Sequence, residues 1–336
     1  MAIFLACVAG GAMDPGPVLA VETRSGHDEL VHCGHAVLLD ARGGVLQRWG
    51  RPETPTFWRS TAKPVQAVAF AEVLDQLGLG HAELAVACGS HAAEQVHVDA
   101  VRRILAAIDA PETALKCAPH PPWSDYSVFT RADAQPIHNN CSGKHAGMLA
   151  VCRVRGWDLD GYLEPDHPLQ LHLADVLRQA SGEQVVPYGI DGCGVPTFRT
   201  PVTGVARAFQ WLLGSAPGRR VLQAIAEHPV MVAGTGEFCT DLATVTKGRL
   251  IVKYGALGCL GVVDRESGRA FALRLTTGNE KASKAVTGHL LEQCGMLSAE
   301  EAERLRPHVE RKVSNHAGRL VGKVEFRADV LTATAN

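Results

Sequence analysis

Val18-Leu-Ala-Val-Glu22, Gly34-His-Ala-Val-Leu-Leu-Asp40 and, past a Gly43-Gly44 turn, Val45-Leu-Gln-Arg-Trp49 decide the fold class. Their side chains alternate in the manner of paired strands that bury one face, and the glycine pair suits a tight reversal. A comparable strand pair follows far downstream, Leu250-Ile-Val-Lys253-Tyr-Gly255 and Ala270-Phe-Ala-Leu-Arg-Leu275, again with glycine-rich turns. Between the two sets, helical periodicity runs near 61–78, 93–108, 143–155, 167–181, 202–214 and 281–294. Strands at both ends with helices between them predict an α+β fold: a mainly antiparallel sheet completed by both chain ends and covered by helices. Regular βαβ alternation is missing, which argues against a doubly wound sheet. No repeat, low-complexity tract or charged linker divides the chain. The expected organisation is therefore an N-terminal extension over 1–16 and one body over 17–336, built as two lobes around one cleft.

Of the 336 residues, 46% are hydrophobic and 20% charged, enough apolar material for a large core. With 33 Lys+Arg against 35 Asp+Glu there is no basic stripe for a phosphate backbone and no polybasic tail for anionic lipid. Nucleic acid and membrane are thus not expected as partners. Nor does any stretch reach the roughly 18 apolar residues of a membrane span. Met1 to Met13 is apolar and uncharged but lacks the positive flank and cleavage site of a secretory signal. The ten cysteines include no C-x-x-C pair. A chain of this length needs no disulfide staples, so reduced thiols and a cytoplasmic address are expected.

Three groups of residues carry chemistry. In Ser60-Thr-Ala-Lys63, Pro64 is tolerated only in a first helical turn, which sets a helix start near Thr61 with Ser60 as its N-cap. Ala67, Phe70, Ala71, Leu74 and Leu77 then recur at helical spacing, and Ser60 and Lys63 share that inward face. A serine hydroxyl becomes a nucleophile when a base takes its proton, and a lysine serves when burial disfavours its charged form. The plainer alternative is a capping serine beside a surface lysine.

The second group is Ser90 with Lys253. Leu84-Ala-Val-Ala-Cys-Gly89 reads as a short buried strand that presents Ser90-His91 at its end. Lys253 sits in the apolar run Leu250–Gly255, where an isolated charge is costly unless paired or neutral. S-x-x-K, a second serine and a strand-borne K-x-G, in that order, resemble the active-site elements of penicillin-recognising serine hydrolases. Otherwise Lys253 is a solvated strand end.

The third group is Asn139-Asn-Cys141-Ser-Gly-Lys144-His145 with Asp191-Gly-Cys193-Gly. On a helix, Cys141, Lys144, His145 and Met148 share a side. Two thiols with an amine or imidazole suit a soft divalent metal such as zinc, though isolated cysteines are usually small buried side chains. Without metal, Asn140, His145 and Asp191 suit a zwitterionic ligand, Asp191 taking an α-ammonium and Arg59 or His145 an α-carboxylate.

Together, Phe57-Trp-Arg-Ser60-Thr-Ala-Lys63-Pro-Val-Gln-Ala67, Cys88-Gly-Ser90-His91, His138-Asn-Asn-Cys141-Ser-Gly-Lys144-His145-Ala-Gly-Met148, Asp191-Gly-Cys193-Gly-Val-Pro196 and Val232-Ala-Gly-Thr-Gly236 resemble the Rhizobium-type, or class 3, L-asparaginases. The resemblance runs from about Pro17 to the end. It implies a fold similar to serine β-lactamases and glutaminases, a homodimer, and conversion of L-asparagine to L-aspartate and ammonia. It also implies two Ser–Lys tandems, Ser60 with Lys63 and Ser90 with Lys253, and a zinc site of Cys141, Lys144 and Cys193. Substrate contacts would fall to Arg59, His91, Asn140, His145 and Asp191, with Glu72 a further candidate.

The mechanism expected from these residues has Ser60 attacking the side-chain amide while Lys63 takes its proton. Ser90, tuned by Lys253, relays a proton to the departing ammonia. Rival readings are a glutaminase, a penicillin-recognising hydrolase, or a zinc-dependent amino-acid-binding protein without catalysis.

Overall fold

The computed structural model describes residues 14–184 and 187–327. Its main sheet uses strands β1 (Val18–Arg24), β2 (His27–Leu39), β3 (Val45–Trp49), β7 (Leu250–Gly255), β8 (Cys259–Asp264), β9 (Ala270–Leu275), β10 (Lys312–Ser314) and β11 (Leu320–Phe326). They lie in the order β10-β11-β1-β2-β9-β8-β7, with β3 on β2. All the pairings are antiparallel, and β11 on β1 joins the C-terminal part of the chain to the first strand through Val21 opposite Glu325. The expected α+β sheet completed by both chain ends is therefore present. A second, small sheet holds β4 (Pro55–Phe57), β5 (Pro187–Ile190) and β6 (Pro196–Pro201) in the order β4-β6-β5.

Two readings of the sequence change here. The runs at 250 and 270 are not partners: β8 lies between them, pairing Val252 with Val262 and Leu260 with Leu273. Residues 84–89 are not a strand, because His81–Ala87 is a helix. An apolar run of that length fits either state. The choice is made upstream, where the Gly80 N–H donates to Glu83 Oε2 at 3.0 Å and closes the first turn.

Helices cover both faces of the sheet. Phe209, on the helix Val202–Trp211, packs where Gly261 of β8 leaves no side chain; a Cβ there would lie 2.5 Å from the ring. The helices Phe238–Val245, Glu280–Gln293 and Ala299–Val309 form another layer. Trp49, Trp58, Phe70, Phe198, Phe209, Phe238 and Phe271 are fully buried, and Trp58 Nε1 donates to Thr200 Oγ1 at 2.6 Å, fastening the residue after β4 to β6 of the small sheet. Among the described residues no helix is long and apolar enough to cross a membrane. Residues 1–13 of the expected extension lie outside the described residues. Asp14, near its end, pairs with Arg51 at 2.6 Å.

Candidate active site

The site gathers where the Arg59–Ala62 turn, the segment after the helix His81–Ala87, the start of the helix Ser142–Arg155 and the end of β7 meet. Residues 59–62 form a 3-10 turn rather than the start of one long helix, followed by the short helices Lys63–Gln66 and Val68–Ala71. Trp58 occupies the N-cap and no side chain caps it, so the Ser60 hydroxyl is not used for capping. Arg59 enters the turn at φ +51°, a left-handed conformation that costs a non-glycine residue about 1–2 kcal/mol. Ser60 is half-buried, and its hydroxyl has no hydrogen-bond partner among the described residues.

The lysines are 1% (Lys63) and 0% (Lys253) exposed, so each needs an internal partner. Lys63 Nζ donates to Gly89 O at 2.5 Å, Ser90 Oγ at 2.9 Å and Asn140 O at 3.2 Å. Three acceptors use all its donor positions. Lys63 is thus hydrogen-bonded to Ser90 rather than to Ser60, the serine its sequence spacing suggests. Ser90 is nearly buried and held in place by its N–H, which donates to Val232 O at 2.8 Å.

Lys253 Nζ donates to Tyr254 O at 2.6 Å and stands 4.8 Å from the centre of the Tyr254 ring. Burial, with a smaller contribution from the Lys63 charge, brings its pKa down to about 7. Along β7, Lys253 and Gly255 face the same way, and Gly255 abuts the serine turn. A Cβ on Gly255 would lie 2.6 Å from Trp58 O and 2.9 Å from Thr61 N. Gly255→Ala should therefore displace the Ser60 turn. We expect a loss of about 1–3 kcal/mol in thermal unfolding and a larger proportional loss of turnover.

Arg59 Nε donates to Asp191 Oδ1 at 2.7 Å, and both side chains stay partly exposed. The two groups expected to grip opposite ends of a zwitterion are thus already adjacent. Asn140 is half-buried. Its N–H donates to His120 Nε2 at 2.7 Å and its carbonyl accepts from Lys63 and, at 3.2 Å, from the His91 N–H. His91 and His145 are fully buried, which places them beneath the site. The His91 ring is engaged on both sides, Nδ1 accepting from the Ala93 N–H and Nε2 meeting Ser142 Oγ at 3.0 Å. Burial lowers its pKa well below the usual range, so it is neutral. Glu72 is exposed and pairs with Arg155 at 2.8 Å, away from these groups.

The third group also converges. Lys144 Nζ donates to Cys193 Sγ at 3.0 Å, and the neighbouring Cys141 thiol donates to Asn140 Oδ1 at 3.1 Å. The proximity of the two thiols holds Cys193 well below the ordinary thiol range, helped by the Lys144 ammonium, and pushes Cys141 well above it. Burial opposes the charged form of Lys144, yet Cys193 and Cys141 hold its pKa above the usual value. His145 Nδ1 lies 2.7 Å from Tyr162 Oη, while its buried Nε2 has no hydrogen-bond partner among the described residues.

Some supporting residues escape a reading of the sequence. Tyr162 orients His145, and His120 fixes the Asn140 backbone; both lie far from their partners in the chain. Tyr254 carries Lys253 on its ring at 4.8 Å and Lys284 at 4.5 Å, and Lys284 in turn pairs with Glu237 at 3.2 Å. Only the position of Tyr254 next to Lys253 could have pointed to it.

The L-asparaginase II family model matches residues 20–326. The chain belongs to the L-asparaginase II family. Membership accounts for the convergence of the sequence motifs and makes the protein an amidohydrolase of the asparaginase kind. No curated protein matches the sequence. Among solved structures, the chain is similar to a β-lactamase from Mycobacterium bovis, with 16% identity and a TM-score of 0.43 over 77% of this chain and 94% of that one. It is similar to Mglu in its native form, with 15% identity and a TM-score of 0.43 over 85% and 66% of the two chains. EstCE1, a hydrolase with promiscuous acyltransferase activity, shares 10% identity and a TM-score of 0.41 over 89% and 95%.

Proposed function

We propose that the protein hydrolyses L-asparagine to L-aspartate and ammonia through an ester on Ser60. The observation that carries this is the contrast between the two serines. Ser60 is accessible with an uncommitted hydroxyl, whereas Ser90 is nearly buried and held by Lys63.

Ser60 Oγ attacks the side-chain amide carbon and its proton passes to the neutral amine of Lys253, the buried lysine whose pKa lies at about 7. This differs from the sequence-based expectation of Lys63 as base, because the donors of Lys63 are taken up by three acceptors. Lys63 gives a proton through the Ser90 hydroxyl to the leaving nitrogen, which departs as ammonia. The proton on Lys253 is then available to restore Lys63. Water cleaves the ester, returning the Ser60 proton and releasing aspartate. Backbone N–H groups at the start of the Arg59–Ala62 turn hold the oxyanion.

The α-ammonium is received by Asp191 and the α-carboxylate by Arg59, with Asn140 beside them; His91 and His145 support these contacts from below. Arg59→Ala is expected to raise the KM for asparagine by about 10- to 100-fold with a smaller change in kcat, since it removes a charge-assisted contact common to ground and transition states. Steady-state kinetics checks this. The ion pair is partly exposed, so its loss should barely move the melting temperature.

Cys141, Cys193 and Lys144 fit a zinc ion: two soft sulfurs and an amine converge, and the unpartnered Nε2 of His145 lies in the same buried cluster. When bound, the metal would supply a fixed charge that rigidifies the helix start carrying Asn140. Binding would release the Lys144 proton. A homodimer is proposed on the family resemblance.

The test is ammonia release from L-asparagine with L-glutamine in parallel, on metal-assayed protein with and without chelator. Release from asparagine well above glutamine supports the proposal. Preference for glutamine, or amino-acid binding without release from either amide after zinc is restored, overturns it.

A further inference from the structure

A cleft of about 590 Å³ lies at the start of β7, at the opposite end of the strand from Lys253. Arg219, Arg220, Lys247, Arg249 and Arg265 line it, against a single acidic lining residue, Glu266. Part of this charge is balanced locally. Arg220 forms a fork on Asp75, with Nη1 to Oδ2 at 2.8 Å, and Arg249 bridges Asp264 at 3.0 Å and Glu301 at 2.8 Å.

The others are not balanced. Among the described residues Arg219, Lys247 and Arg265 have no carboxylate within ion-pair distance. Arg219 Nη1 donates to Leu213 O at 3.1 Å. Arg265 Nη1 donates to Gly248 O at 2.9 Å and its Nη2 to Gln223 Oε1. A guanidinium fixed by neutral oxygens keeps its full charge in a set orientation.

Helix electrostatics explain only one of these cations. Lys247 follows the C-terminus of the helix Phe238–Val245, where a positive charge is favoured. Arg219 and Arg220 stand at the N-terminal end of the helix Ala216–Glu227, which has no acidic residue in its first turn. Cations there oppose the helix dipole, and only Arg220 has a carboxylate to offset the cost.

We propose that this cleft is a binding site for a small polyphosphate, pyrophosphate or longer. Two guanidinium groups and an ammonium without carboxylate partners, lining one cleft, are a charge set that suits phosphoryl oxygens. The volume exceeds what one phosphate fills, the apolar lining is limited to Leu213 and Leu222, and the one ring in the lining is the His81 imidazole, held by Glu227 at 2.6 Å; no Phe, Tyr or Trp lines the cleft. The phosphoryl groups fall between Arg219, Lys247 and Arg265, and the site lies outside the machinery that cleaves asparagine.

The test is calorimetric titration of the full chain with pyrophosphate and tripolyphosphate at low ionic strength. Sulfate at matched ionic strength, ADP and adenosine serve as comparisons. The double variant Arg219→Gln/Lys247→Asn removes two donors, and asparagine at 247 tolerates the left-handed backbone there, φ +52°. Saturable pyrophosphate binding, at least about tenfold weaker in the double variant while ammonia release is unchanged, is the expected result. The site is refuted by no binding at millimolar pyrophosphate, by equal binding in the double variant, or by an equal response to sulfate. Adenosine binding as tightly as ADP would refute the ligand class. The variant leaves Ser60 and Lys253 untouched, and every refuting outcome is a binding readout that does not depend on whether asparagine is the substrate.

Discussion

Ser60→Ala should lower turnover of asparagine by a thousandfold or more, on the scale of the ~10⁶ losses seen when a serine nucleophile is removed from a hydrolase. Its effect on stability should be small, within about 0.5 kcal/mol, because the hydroxyl neither caps the Arg59–Ala62 turn nor holds any hydrogen bond among the described residues. Ser90→Ala should behave differently. It removes the acceptor on which Lys63 rests at 2.9 Å, leaving a buried ammonium with two partners instead of three. Stability should therefore fall by roughly 1–3 kcal/mol alongside activity. Steady-state ammonia release and thermal unfolding of the two variants separate nucleophile from relay. If Ser60→Ala kept more than about a tenth of the wild-type rate, Ser60 would not be the attacking group. A rapid-quench experiment on the wild type, looking for an aspartyl ester on the peptide that contains Ser60, gives a second and independent reading.

The sheet was legible because its chemistry is local. The stretches 18–22, 34–40 and 45–49 carry their own alternation, and the prediction that both chain ends meet in one sheet is realised by β1 on β11. β8 was not legible. All six of its residues are buried, so it has no polar face to mark it, and its neighbours read as each other's partner. The helix His81–Ala87 was misread for the same reason, since full burial erases the periodicity that separates helix from strand.

The site shows a similar division. The residue types and motifs were readable, and the chain folds Ser60, Lys63, Ser90, Lys253, Cys141, Lys144 and Cys193 into one region. The pairing was not. Spacing of i and i+3 sets Ser60 and Lys63 on one side of a helical turn, whether α or 3-10, but it does not say which acceptors the amine reaches. The Lys63 amine reaches across the chain to Gly89 O, Ser90 Oγ and Asn140 O, acceptors brought in by distant segments. The burial of His91 and His145 was equally invisible, because the elements that cover them come from distant sequence.

Lys253 makes the sharpest demand on the proposed mechanism. Its amine can act as a base only when neutral, and burial lowers its pKa to about 7. The sign follows directly: below that pH the lysine is protonated and cannot accept the Ser60 proton, so kcat/KM should rise as pH increases through about 7 and then level off. Lys253→Arg keeps a cation of similar length but stays protonated throughout this range. It should lose about 10²- to 10⁴-fold in kcat/KM, the usual contribution of a positioned base. Lys253→Met keeps the volume without a titrating group. It should fold at least as stably, because a buried amine is replaced by an apolar side chain, and its residual rate should show no limb near neutral pH. The pair of variants distinguishes loss of the base from loss of packing, since only the methionine variant preserves the buried apolar fit. A methionine variant with near wild-type kcat/KM, or one that retains the same rising limb, would transfer the proton acceptor to another group. Lys63 would then be the first candidate, with Ser90 as its route to Ser60.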